Sequence, residues 1–432
     1  MTPSGGRAVF TYPNYVRYVC ARLCVVLALE MQSVAVGWRV YEITSSPLAL
    51  GLTGLAQFLP GILLFLVSGH AADRWDRRRL VLSCYLGLTF CSAALLATEL
   101  RGLQSVYPIY AVLVLLGVAR AFNGPATRAL LPQLVPAQHF PSAVAWDASA
   151  FQMATILGPS AGGLLYAIFG GPSVLYGIAA AALLGAMLFM LRVQTRRTPG
   201  PRDPLSLAVA LAGFRYIWRQ KVVLGSISLD LFAVLLGGAV ALLPVYAREI
   251  LRTGPWGLGL LRSAPGIGAA AMAMVLANRP VRRRAGAIML WCVAGFGACT
   301  IVFAFSRSLP MSLVALALVG ATDMVSVVVR GTLVQVTTPD EMRGRVNAVE
   351  LMFIGASNQL GQFESGLTAQ WFGTVPAVAL GGLGALAVTA LWAWAFPELR
   401  RADLPSAQTR APSLVRTRSR AQRRRRRNLT CS

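Results

Sequence analysis

Long uncharged blocks separated by short bursts of charge set the rhythm of this chain. The stretch "LALGLTGLAQFLPGILLFLV" leads into "SGHAADRWDRRRL", Ser68 to Leu80, and "VLSCYLGLTFCSAALLAT" follows, the outer two without any charge. The apolar residues are not spread as amphipathic stripes. They form runs long enough to cross a bilayer as helices, about 20 residues each. Hydropathy predicts twelve spans, at 16–40, 47–69, 80–99, 107–131, 142–168, 172–192, 222–247, 256–277, 287–306, 309–333, 346–371 and 375–396. Several contain Gly and Pro, which neighbouring helices tolerate inside a membrane.

Composition agrees with the pattern. Of 432 residues, 56% are hydrophobic and 13% charged, with mean hydropathy +0.61. Soluble domains carry roughly a quarter charged residues, so a soluble core is excluded. The start, "MTPSGGRAVFTYPNYVRYVC", has no short apolar core before a cleavage site and reads as no signal peptide.

The net charge of +24 is nearly all arginine, Lys221 being the single lysine. In a soluble protein such a balance points to nucleic acid; here the placement of the charge argues otherwise. Arg74, Arg77, Arg78 and Arg79 follow span 2, and seven basic residues from Arg192 to Lys221 separate spans 6 and 7. Arg279, Arg282, Arg283 and Arg284 follow span 8, and Arg343 and Arg345 follow span 10. The loops of the other face, with adjoining span ends, hold only Arg39, Arg101, Arg248, Arg252 and Arg307. The positive-inside rule therefore predicts both termini in the cytoplasm, with membrane lipids and not nucleic acid as the partners of this charge. The seven cysteines form no CxxC or Cys/His cluster, and His70 and His139 sit at loop edges, so neither metal nor cofactor is expected.

The spans divide six and six. The expected parts are a cytoplasmic N-terminus 1–15, a bundle 16–193, a linker 194–221 with a short amphipathic surface helix, a bundle 222–397 and an Arg-rich disordered tail 398–432. The halves match as copies. At an offset of 205, Gly54-Leu55 falls on Gly259-Leu260, Pro60-Gly61 on Pro265-Gly266, and Arg77 to Arg79 on Arg282 to Arg284. At an offset of 203, Pro136 falls on Pro339, Asp147 on Glu350, and Gly158 and Gly163 on Gly361 and Gly366. A parallel six-span repeat is the plan of one large transporter class, with its substrate site between the halves.

At the turn after span 2 the chain resembles the major facilitator superfamily. Gly69-His-Ala-Ala-Asp73-Arg74-Trp-Asp76-Arg77-Arg78-Arg79 is similar to that superfamily's loop 2–3 signature, with Asp76 where the signature has Gly. The resemblance implies that Gly69 lets span 2 approach the other half, and that Asp73 caps a helix end and pairs with arginine as a gate latch. Arg120-Ala-Phe-Asn123-Gly124 in span 4 resembles the Arg-x-x-Gln-Gly motif. Gly158-Pro159-Ser-Ala-Gly162-Gly163 in span 5 resembles the Gly-Pro-x-x-Gly-Gly motif of exporting proton antiporters. "MQSVAVGWRVYEITSSPLALGLTGLAQFLPG" and "TPDEMRGRVNAVELMFIGASNQLGQFESG" are similar to the branch of enterobactin-exporter-like, secretion and drug-efflux carriers. The fold implied is an all-α membrane protein of twelve transmembrane helices in two six-helix bundles.

Chemistry then rests on the few charges at membrane depth. Arg120 lies near the hydrocarbon centre, where an unpaired charge costs at least ~2.5 kcal/mol. Glu30, Asp230, Asp323 and Glu364 are the acids at depth. In this superfamily spans 1, 4, 7 and 10 line the cavity, which selects Glu30, Asp230 and Asp323 as proton carriers facing Arg120. Glu364 is expected to serve packing, and Asp147 and Glu350 to join Arg343 and Arg345 in the gate. Gln32, Trp38, Phe232, Asn358 and Gln359 are candidate cavity residues. The function expected is a monomeric bacterial inner-membrane exporter of a small molecule, driven by protons; the alternative is an uptake symporter or facilitator of the same fold. A membrane enzyme lacks support, because no Ser/His/Asp arrangement, His/Asp cluster or Walker motif is present. A non-transporting receptor would not need charges at this depth.

Overall fold

A computed structural model describes residues 8–195, 207–279, 281 and 283–403, excepting the side chains of Phe65, Leu66, Asp73, 207–211 and Asp340. The described residues form helices and connecting turns without a strand. The first half contains Pro13–Thr44 (α1), Pro47–Leu63 (α2), Phe65–Arg74 (α3), Arg77–Leu100 (α4), Tyr107–Leu130 (α5), Phe140–Phe169 (α6) and Ser173–Leu191 (α7). Leu207–Arg219 (α8) lies in the linker. Then come Lys221–Gly237 (α9), Leu243–Val245 (α10), Gly254–Asn278 (α11), Ala285–Phe305 (α12), Leu309–Thr337 (α13), Asp340–Phe372 (α14), Thr374–Ala395 (α15) and Pro397–Arg400 (α16).

Local chemistry sets the boundaries. α2 starts with Pro47 in its first turn, and the Ser46 hydroxyl accepts from the Ala49 N–H. α6 stops at Gly170, whose φ of 68° suits a residue without Cβ. Asp76 caps α4, its carboxylate accepting from the Arg79 N–H at 3.0 Å.

Nine helices among the described residues are long and apolar enough to cross a membrane, against twelve expected spans. The difference lies in three places. Span 2 is split at Leu64 into α2 and α3. α6 and α14 are long enough, with 30 and 33 residues, but they carry more polarity. Both face protein on several sides: α6 packs on α1 and α11, and α14 on α2 and α9.

The halves meet at α6 against α11 and at α14 against α2, and glycine makes both crossings close. A Cβ on Gly163 would lie 2.5 Å from the Pro255 carbonyl oxygen and 2.8 Å from the Gly259 Cα. A Cβ on Gly366 would lie 2.8 Å from both the Pro47 carbonyl oxygen and the Gly51 Cα. The counterpart of Gly259 is thus Gly51, three residues from the Gly54 that the sequence register pairs with it. Two further contacts share this shift: Gly117 faces the Gln57 carbonyl and Gly320 the Pro265 carbonyl. In helices this rich in small residues, a slide of nearly one turn leaves the pattern intact.

The Arg-rich turns share one end of the molecule with both described chain ends. Arg17 donates to the Arg192 carbonyl at 2.7 Å, and Arg78 donates to the Met190 and Leu191 carbonyls. The start of the expected disordered tail is folded. Leu399 is fully buried, Glu398 lies 3.6 Å from Lys221, and Asp403 accepts from the Arg284 N–H. Apolar Leu399 gains more by packing on α9 and α12 than by remaining in water. Residues 404–432, Arg282 and the Asp73 side chain lie outside the described residues.

Candidate functional site

A cavity of about 380 Å³ lies between the halves. α9 stops at Gly238, and the chain continues through a 3-10 turn, Ala239–Leu242, before α10. The Gly238 carbonyl is held by the Ser365 hydroxyl at 2.8 Å, while Val240, Ala241 and Pro244 face the cavity. Irregular backbone at this depth is tolerated where it lines such a space. Opposite, Glu30 is seated beneath α6 because Gly158 has no side chain; a Cβ there would lie 2.5 Å from the Glu30 Cβ.

Among the described residues three charged ones line the cavity: Glu30 from α1, Arg120 from α5 and Arg262 from α11. Arg120 donates from Nη1 to Gln57 Oε1 at 3.1 Å. Arg262 donates from Nη1 to Ser33 Oγ at 2.7 Å, crossing from one half to the other. Neither guanidinium makes an ion pair within 4.0 Å among the described residues, and the Glu30 charge acts on both through space. Gln32, Asn358 and Gln359 also line the cavity. Trp38 does not; its indole donates to Glu42 at 2.6 Å. Phe232 packs on Trp392, with ring centroids 5.4 Å apart.

Asp230 and Asp323 are not among the cavity-lining residues, contrary to the expectation that they face Arg120. Asp230 is buried and paired with Arg330 Nη1 from α13, and the Arg330 Nε lies 3.2 Å from Glu350. Asp323 lies within electrostatic reach of Asp230 and Arg330. The nearby Arg330 offers the pairing that distant Arg120 cannot.

The expected gate partners are likewise redistributed. Asp147 pairs with Arg22 at 3.2 Å, and Arg22 also stacks over Phe151. Glu350 belongs to the Arg330 cluster. Arg343 donates to the Gln335 carbonyl at 3.1 Å, and the Arg345 backbone packs against Gly213 of α8. Glu364 accepts from Thr368 at 2.7 Å. In the turn motif, Arg77 donates to the Ala129 carbonyl at 2.9 Å and Asp76 supplies the described helix cap. Gly69 and Arg74 lie on α3, which packs chiefly on α5. Pro159 lines the cavity, and a Cβ on Gly162 would lie 2.9 Å from the Met31 Cα, so this motif binds α6 to α1 and α11 together.

At the end opposite the Arg-rich turns, the Tyr41 hydroxyl donates to Glu249 and Arg248 donates to the Tyr41 carbonyl at 3.3 Å. Ser46 donates to Gln370 at 3.0 Å. These bonds join the halves there.

Such an arrangement, helical halves enclosing a charged central cavity, is that of major facilitator transporters. The D-xylose-proton symporter shares the fold with a TM-score of 0.68 at 16% identity, over 91% of this chain and all of that one. A bacterial homologue of the human lysosomal transporter Spinster, inward-facing and unoccupied, gives 0.67 at 13% identity, over 90% and 96%. The chain belongs to the transmembrane secretion effector family, whose profile matches residues 15–424. Curated relatives include the enterobactin exporter EntS of Shigella boydii serotype 18 and that of Escherichia coli O1:K1 / APEC. Each is 27% identical over 400 residues, covering 90% of this chain and 94% of the relative. The protein is therefore a multi-pass membrane transporter of the major facilitator type.

Proposed function

We propose that this transporter is a proton-driven exporter in a bacterial inner membrane, working by alternating access between two six-helix bundles, with twelve spans and both termini in the cytoplasm. The central cavity carries this reading, because the charges facing it come from both halves and one hydrogen bond, Arg262 to Ser33, crosses it. Closure by Tyr41, Glu249 and the glycine crossings supports a state loaded from the Arg-rich, cytoplasmic end. The export direction is supported by the relatives named as enterobactin exporters. The Asp230–Arg330–Glu350 cluster with Asp323 is suited to carry the proton. Three carboxyls share one guanidinium there, so a rocking step that moves Arg330 changes how many of them can stay ionised. Cargo and proton then occupy separate places.

Everted vesicles with an acid interior are expected to accumulate radiolabelled enterobactin and to lose that uptake with an uncoupler. Uptake that persists after the gradient collapses would remove proton antiport. Uptake only in right-side-out vesicles would reverse the direction, and uptake in neither would remove enterobactin as cargo.

A further inference from the structure

We propose that the cavity binds an organic anion, gripped between Arg120 and Arg262; this rests on the transporter reading and names its cargo class. The charge balance is the first argument. Among the described residues, Glu30, Arg120 and Arg262 are the charged ones lining the cavity, so one positive charge is left over when all three are ionised.

The second argument is the condition of the two guanidiniums. Each offers five N–H donors, and among the described residues each has one hydrogen bond, to the neutral acceptors Gln57 and Ser33. A guanidinium at membrane depth without an ion pair is costly to maintain. A carboxylate or phosphonate entering the cavity supplies the missing partner in the planar, two-point geometry that arginine prefers.

Third, among the described residues no aromatic side chain lines the cavity, so it lacks the cage that would hold an organic cation in place of the anion. The grip also spans the molecule, because Arg120 stands on α5 of the first half and Arg262 on α11 of the second. One anion bound to both offsets their mutual repulsion and draws the halves together around it. Binding and closure become the same event.

The test uses the full chain in detergent, with [14C]benzoate as probe and two competitors of the same shape, neutral benzamide and cationic benzamidine. Benzoate is expected to bind saturably and to be displaced by phenylphosphonate, with benzamide and benzamidine about tenfold weaker, as the loss of charge-assisted hydrogen bonds implies. Arg262→Gln and Arg120→Gln are each expected to weaken benzoate about tenfold or more at an unchanged unfolding midpoint, and Glu30→Gln to tighten it. Benzamidine binding as well as benzoate, unchanged affinity in Arg262→Gln, or no saturable benzoate binding by the wild type would each overturn the proposal. If an arginine variant does not fold, the competition series on the wild type decides alone. Detergent sustains no gradient, so failure here leaves proton-driven export to the vesicle assay, and the reverse holds equally.

Discussion

Arg330 is 2% exposed and holds two carboxylates, Asp230 and Glu350, from two other helices. Removing the shared partner of buried charges costs about 3–5 kcal/mol. Arg330→Met should therefore lower the unfolding midpoint in detergent, and adding Asp230→Asn and Glu350→Gln should recover part of the loss. Equal midpoints for all three proteins would show the cluster to be solvated. This residue, with Arg262 and Arg22, also marks where the sequence stopped being legible. Arg120 announced itself by its depth within an apolar run. Arg262 stands near the start of its predicted span and Arg330 near the end, where an arginine reads as one that reaches the headgroups. Only the way α11 and α13 are inserted between neighbours turns both inward. Glu30 was readable for the reason Arg120 was, whereas the partners of Asp230, Asp147 and Glu350 depend on contacts between helices that hydropathy does not rank.

At the scale of elements, the two glycine crossings set how closely the halves approach. Gly163→Leu would drive a side chain into the Pro255 carbonyl and the Gly259 backbone and should part α6 from α11. Transport is expected to fall to background while the protein still inserts. Gly177→Ala, where a Cβ meets nothing within 4 Å, should leave transport unchanged and serves as control. An active Gly163→Leu variant would mean that the crossing is not used. The sequence showed these glycines as a repeated motif, and the motif did fall on the seams. It did not show which partner each glycine meets, because the sequence register and the contact register differ by three residues along α2 and α11. The split of span 2 was likewise hidden, since hydropathy is blind to a single residue leaving the helical track.

For the molecule as a whole, alternating access requires that the end closed by Tyr41, Glu249 and Arg248 can open. A hydrogen bond to a charged group contributes about 1.5–3 kcal/mol, so its removal should raise the open population about tenfold to a hundredfold. Tyr41→Phe is expected to speed labelling of a cysteine placed at Ser46 by an impermeant maleimide to that degree. An unchanged rate would show that the bond does not hold the end shut. One feature of α14 reaches beyond transport. It carries Glu350, Asn358, Gln359, Gln362 and Glu364, and it packs on α2 from the opposite half as well as on α9. Alone in hydrocarbon, such a segment has too little to gain from lipid to hold its place. Whatever place it takes in the bilayer therefore depends on the helices it packs against, one of them from the half made first.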